Sequence, residues 1–272
     1  EQVWYRDIYL ALSGMEEEYL LHTGFSGEPG EEDIEKVFYA VMNDHPELFF
    51  VGGYTYTKYT MADKLLKISF SGTYTMDTYE RVLREREIDR AAEECLQALP
   101  AEASDYEKVK YVYEYVILHT DYRKDAPDNQ NICSCLLSGE SVCQGYAKTV
   151  QYLLNRAGIN SVLVSGTVYG GQAHAFNLVE VNGQCYYVDA TWGDPSYQSE
   201  EKDEGAGSLP QINYDYLCVP AVMLEKTHTV DTLFALPECT SMQANYYVTE
   251  GAYFTEYDEE AVEDFFEKAQ DA

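Results

Sequence analysis

Three residues, far apart in the chain, have side chains that could act on one bond together. Cys143 stands in "SGESVCQGYA" (138–147), His174 in "GQAHAFNL" (171–178) and Asp189 in "CYYVDATW" (185–192). A thiol, an imidazole and a carboxylate are the inventory of nucleophilic acyl transfer: the imidazole takes the thiol proton, and the carboxylate fixes the tautomer and orientation of the ring. Each residue also has a bland reading. A lone cysteine more often fills a core, a strand histidine is often only hydrogen-bonded, and an aspartate can simply cap a turn. The conjunction decides between the readings, so the question is what local structure brings the three together.

Ser141 with Gln144 three residues later has the form of a capping box, which starts a helix at about Val142. Apolar positions 146, 147, 150, 153, 154 and 157 give that helix one buried face, and Gly158 ends it. Cys143 then lies in the first turn, where free N–H groups and the helix dipole favour negative charge; helix N-termini lower thiol pKa values from about 8.5. Gly145 is expected to leave room for a substrate. Downstream, "SVLVSGTV" reads as a buried strand, and "AHAFNLVEVNGQCYYVDATW" reads as a hairpin turned at Asn182-Gly183. A two-residue loop pairs 181 with 184, so His174 falls opposite Thr191 and Asp189 opposite Phe176. His174 and Asp189 then share a sheet face as diagonal neighbours, roughly 7–8 Å apart at the backbone.

The rest of the chain supplies a frame. A helix is expected from about Glu31 to Asn43, stopped by His45-Pro46, followed by paired strands in "YTYTKYT" and "KLLKISFSGTYT". A long helix runs from about Thr78 to Leu99 and stops at Pro100. The next has Ser104 and Glu107 as a capping box, with Val109, Val112, Tyr113, Val116 and Ile117 at helical spacing. The stretch from Pro100 to Ser104 is the best boundary. It divides an N-terminal α/β region, 1–100, from a domain over 101–272 that carries the chemistry. The acidic loop 193–210 reads as a mobile surface segment or as a rim over the site.

In order and context, "SVCQGYAKTVQYLLNRAGI", "SGTVYGGQAHAFNLVEVNGQCYYVDATWGDP" and "YDYLCVP…KTHTVD" resemble the bacterial transglutaminase-like superfamily, whose core is shared with papain-like cysteine peptidases. The resemblance covers roughly residues 104–245. It implies an α+β fold in which a nucleophile helix packs on an antiparallel sheet, with Cys143, His174 and Asp189 as a catalytic triad and an acyl-enzyme intermediate. It does not choose a substrate, because the superfamily includes peptidases, amide-transferring enzymes and members without activity.

Around the triad the backbone N–H of Cys143 is the natural first oxyanion donor. Papain-like enzymes add a glutamine six residues before the cysteine, but Leu137 holds that position here. Tyr122 and Gln144 are the candidates for the second donor. Trp192 is expected to wall the site and shield the His/Asp pair from water. His228, in "KTHTVD", is expected to be structural. Cys133 and Cys135 form a C-x-C with no second ligand pair in sequence, so no zinc or other metal site is expected, and no cofactor.

Composition limits the partners. The 272 residues carry 18 basic and 48 acidic side chains, a net charge of −30, which repels phosphate backbones and anionic membrane surfaces. No apolar run is long enough for a membrane span. The start at Glu1, without methionine, leads us to expect a removed targeting segment and a secreted or surface-tethered protein. The seven cysteines are an odd number, so at least one thiol is free or paired between chains. The 26 tyrosines suit packed helix faces or a surface that touches a ligand. The expectation is a cysteine-dependent acyl-transfer enzyme acting on amides of a peptide, protein or cell-wall substrate. Hydrolysis is preferred to transamidation because water is always present. The alternative is a non-catalytic module that binds peptide or cell-wall polymer on the same fold.

Overall fold

The Asn182-Gly183 turn organises the half of the molecule that holds the three residues. Both turn residues have positive φ, 51° and 74°, the backbone that joins two strands through a two-residue loop. They connect β7 (Gln172–Val181) to β8 (Gln184–Val188), paired from Val181 opposite Gln184 to Asn177 opposite Val188. That is the register expected from the turn.

This is a computed structural model, and it describes residues 2–23, 31–62, 64–195, 211–256 and 259. The N-terminal part comprises α1 (Gln2–Ser13), β1 (Tyr19–Leu21), α2 (Glu31–Asp44), β2 (Val51–Met61), β3 (Lys64–Tyr74) and α3 (Thr78–Leu96). Its antiparallel sheet has the order β1-β3-β2. Phe38, Phe50, Ile68 and Phe70 fill the core beneath α1 and α2. Next come α4 (Asp105–His119), the parallel pair β4 (Asp121–Tyr122) and β5 (Glu140–Ser141), and α5 (Cys143–Arg156). The Ser104/Glu107 capping box at the start of α4 is formed in both directions.

The second sheet is wholly antiparallel, in the order β8-β7-β6-β9, with β6 at Ser161–Val168 and β9 at His228–Val230. Short helices α6 (Ala190–Gly193), α7 (Ala221–Leu224) and α8 (Tyr246–Thr249) border it. Helix α5 lies on this sheet and against α4, burying Tyr146, Val150, Leu153 and Leu154 with Val112, Tyr113 and Val116. The fold is therefore α+β, with the nucleophile helix packed on an antiparallel sheet, as expected. The two large cores reach across the 100–104 stretch: Ala92 and Cys95 of α3 pack with α4 and α5, while Ile132 and Cys133 join the N-terminal core. Among the described residues no helix is long and apolar enough to cross a membrane.

Candidate active site

Helix α5 begins at Cys143 itself, one residue later than expected. Its N-cap is Val142, extended at φ −120° and ψ 177°, and no side chain caps it. The Ser141/Gln144 capping box does not form. The Ser141 hydroxyl is committed elsewhere, 2.6 Å from Ser134 Oγ and donating to the Asn129 carbonyl at 3.1 Å. Among the described residues no side-chain cap occupies the first-turn N–H groups, the donors that any helix start leaves over.

Gly145 also has a different role from the one expected. It is buried, and a Cβ there would collide with the hydroxyls of Ser141 and Ser134 and with the Asn129 carbonyl. The glycine lets segment 129–141 pack directly under the helix start; it does not open a path for substrate.

His174 reaches Asp189 through Nε2 and Oδ2, 2.7 Å apart, with both side chains buried. The shared-face argument anticipated this contact, although the strand pairing does not run that far. Strand β8 stops at Val188, and Asp189 is the N-cap of α6, its Oδ1 accepting the N–H of Thr191 at 2.9 Å and of Trp192 at 3.1 Å. With Nε2 engaged by the carboxylate, Nδ1 is the ring nitrogen left for other contacts, and Cys143 lies near enough to His174 to raise its pKa. Burial alone would push the Asp189 carboxyl up. The His174 charge and the hydrogen bonds from His174 and His228 outweigh it and hold the carboxyl below the usual carboxylate range. Burial alone would likewise push His174 down; the Asp189 charge and hydrogen bond, with the neighbouring Cys143, hold it above the ordinary imidazole value.

A second imidazole completes the cluster. His228 Nε2 lies 2.9 Å from the same Asp189 Oδ2, and its Nδ1 lies 2.8 Å from Thr227 Oγ1. Pairing of β9 with β6, Val168 opposite His228, carries it there. The side chain expected to be structural thus touches the carboxylate directly. Three ligand-type atoms of His174, Asp189 and His228 lie within 4.8 Å of one another. Both nitrogens are hydrogen-bonded to one oxygen, so a cation there would first have to displace two protons.

The ring centroid of Trp192 lies 6.4 Å from that of His174 and 4.8 Å from that of His228. Phe176 and Tyr216 close the cage, 5.3 Å and 5.6 Å from His228. On the other side Cys143 and His174 together line a cleft of about 800 Å³, bordered by Gln130, Gln144 and the Gly166 and Thr229 strands. Gln144 thus lies beside the thiol. Tyr122 pairs with Ser141 across β4 and β5 and sets its ring 6.3 Å from that of Tyr146. Gln130 had no sequence signal, because it lies in a polar loop thirteen residues from Cys143. Cys133 and Cys135 are buried in different cores, and burial pushes both thiols up, Cys133 to about 12. Of the acidic 193–210 loop, residues 196–210 lie outside the described residues.

Residues 94–192, which run from the end of α3 through Trp192, match the model of the transglutaminase-like superfamily. They form a transglutaminase-like core. Kyphoscoliosis peptidase of Mus musculus is 28% identical over 106 residues, 33% of this chain and 16% of that protein. The chain thus spans about a sixth of that relative's length. A solved structure described as a TGase overlaps 70% of this chain and 55% of its own at 15% identity, with a TM-score of 0.38. The periplasmic domain of TgpA from Pseudomonas aeruginosa overlaps 52% of this chain and 66% of its own at 15% identity, with a TM-score of 0.29. Neither overlap bears on reaction or substrate. The transglutaminase-like core includes all three residues of the Cys143 cluster; α1, α2, both N-terminal strands pairing with β3, and His228 lie outside it.

Proposed function

We propose that the chain is a thiol-dependent enzyme that cleaves amide bonds in peptide-like substrates through Cys143, His174 and Asp189. The observation that carries this reading is the line from the cleft inward: a partly exposed thiol that shares its cleft with His174, whose buried imidazole lies 2.7 Å from a buried carboxylate. The transglutaminase-like core around it supports the enzyme reading.

In the proposed reaction His174 Nδ1 holds the thiol proton while the Cys143 sulfur attacks the amide carbonyl. The oxygen becomes negative in the tetrahedral intermediate, where the backbone N–H of Cys143 serves as donor, with Gln144, Gln130 or Tyr122 as side-chain partner. Collapse breaks the C–N bond, and His174 delivers its proton to the leaving amine. The resulting thioester is attacked by water, which His174 deprotonates, releasing acid and free thiol. Asp189 orients the ring and stabilises its charge. Water is preferred as acceptor over an amine because it needs no binding site of its own. A secreted or cell-surface setting belongs to the same proposal, and cell fractionation tests it.

The test is a panel of quenched peptides and wall-derived fragments offered to the intact chain and to Cys143→Ala. Intact-mass analysis of the trapped thioester accompanies it, with and without an added primary amine. Turnover that depends on Cys143, and an acyl adduct at that residue, support the reading. Tight peptide binding with no adduct and no turnover would instead leave a binding module.

A further inference from the structure

Strand β9 pairs with β6 only across residues 166–168, and the last hydrogen bond of the ladder runs from the Asp231 N–H to the Ser165 carbonyl at 2.9 Å. Beyond it the two segments part. A hollow of about 280 Å³ opens there, floored by Leu163 and Val164 of β6 and continuous with the catalytic cleft, since Gln144, Ser165 and Asp231 line both. Tyr39 and Asn43 of α2 form one wall, and Leu233 and Phe234 form the other. Helix α2 is outside the transglutaminase-like core, yet its position is set by the nucleophile helix: Gln151 of α5 donates its side-chain amide to the Asn43 carbonyl at 2.8 Å. A wall from the N-terminal part is thereby held in register with Cys143. Past Leu233 and Phe234 a second hollow continues along Lys36, Val37 and Ala40 of α2.

We infer that α2 and segment 231–236 form the substrate-binding groove of this enzyme, and that the nearer hollow receives a bulky, uncharged apolar side chain of the peptide. The inference rests on the thiol-enzyme reading above and gives the N-terminal part its role. The volume is below the roughly 300–1,000 Å³ of small-molecule sites, which suits one side chain of a longer ligand. Floor and walls are largely apolar, and Tyr39 and Leu233 leave 47% and 46% of their surface exposed at its rim, as interaction surfaces do. Among the described residues that line it, the one charged side chain is Asp231, at the junction with the cleft. A substrate carboxylate would be placed beside that like charge on a chain of net charge −30, whereas an apolar side chain only loses its contact with water.

The test uses peptidyl chloromethyl ketones that differ at the two residues preceding the ketone, each position carrying Phe, Gly or Asp in turn. Inactivation rates at Cys143 are divided by each protein's own iodoacetamide rate, which needs no pocket. At one of the two positions the Phe reagent should react on the order of tenfold faster than Gly, with Asp slowest. In Tyr39→Asp and in Leu233→Asp the Phe advantage should fall to about twofold or less. Should either carboxylate abolish the cooperative melt, Tyr39→Ala, which removes only the ring, is read the same way. Selective iodoacetamide labelling of Cys143 with no Phe preference, or a preference that survives in the variants, overturns the pocket and leaves the thiol reading standing. Failure of iodoacetamide to select Cys143 overturns both.

Discussion

The imidazole of His228 is held 2.9 Å from the Asp189 carboxylate, on the same oxygen that His174 engages at 2.7 Å. A ring protonated at Nε2 satisfies both of its contacts, donating to Asp189 and accepting from the Thr227 hydroxyl. Asp189 Oδ1 is meanwhile occupied by two backbone N–H groups. The carboxylate cannot rotate without breaking several hydrogen bonds in a site closed to water, which is how a supporting partner keeps a reacting group oriented.

His228 is accordingly a positioning residue. His228→Phe should lower kcat by about 10- to 100-fold with little change in KM, and His228→Gln, which keeps an amide donor, should recover part of the loss. The pH profile should shift in the Phe variant, because one hydrogen bond that favours ionised Asp189 is gone. Equal losses in both variants, with an unmoved profile and a lowered melting temperature, would make His228 a packing residue only.

Cys143 should be the first of the seven cysteines to react with limiting iodoacetamide. It is partly exposed, at a helix start and on the same cleft as His174, whereas burial pushes the thiols of Cys133 and Cys239 up to about 12. Peptide mapping of the folded protein decides the order, and faster labelling elsewhere would count against the site. Asp189→Asn should cost on the order of 10⁴ in kcat while the fold survives; normal specific activity in its folded fraction would reduce Asp189 to a cap for α6.

Stability should fall on both sides of a mildly acidic optimum. His174 is held above its ordinary value, so its contribution is complete below pH ~6.5 and is lost as the pH climbs past that point. Asp189 is held below its ordinary value, so its contribution is present above pH ~3.9 and is lost in more acidic solution. On the alkaline side one proton is at stake, a slope of at most ~1.4 kcal/mol per pH unit. Melting temperatures from pH 6 to 9 should decline more steeply in wild type than in His174→Ala, and parallel curves would remove His174 from the account.

Lys148 lies on the buried face of α5, and its ammonium has no hydrogen bond or ion pair among the described residues. Burial lowers its pKa from 10.5 to about 8, a cost to the folded state on the order of 3 kcal/mol at neutral pH. Lys148→Met keeps the length and removes the charge, so it should raise the melting temperature by several degrees at pH 7. The gain should shrink towards pH 10, where the wild-type amine is already neutral. A loss of stability at both pH values would show that the ammonium has a partner after all.

The chain's local chemistry was readable without coordinates wherever the deciding neighbours are close in sequence. Ser104 and Glu107 cap α4 because they are three residues apart. Asn182-Gly183 sets the β7–β8 register because a two-residue turn allows only one, and that register put His174 and Asp189 on one face. Where one residue had to choose among several partners, local pattern was not enough. Ser141 has the right spacing to cap α5, but segment 129–134 packs beneath the helix start and takes its hydroxyl, and it is the same packing that requires Gly145. His228, 39 residues beyond Asp189, reaches the carboxylate only because β9 pairs with the edge of β6. Gln151 likewise finds the Asn43 carbonyl 108 residues away. Capping and turn geometry are set within a few residues of chain, so the sequence alone determined the start of α4, the hairpin register and the inventory of thiol, imidazole and carboxylate. Contacts between distant segments depend on which buried faces meet and on which polar groups must be satisfied there, so only the tertiary structure decided the second histidine on Asp189 and the N-terminal wall beside Cys143.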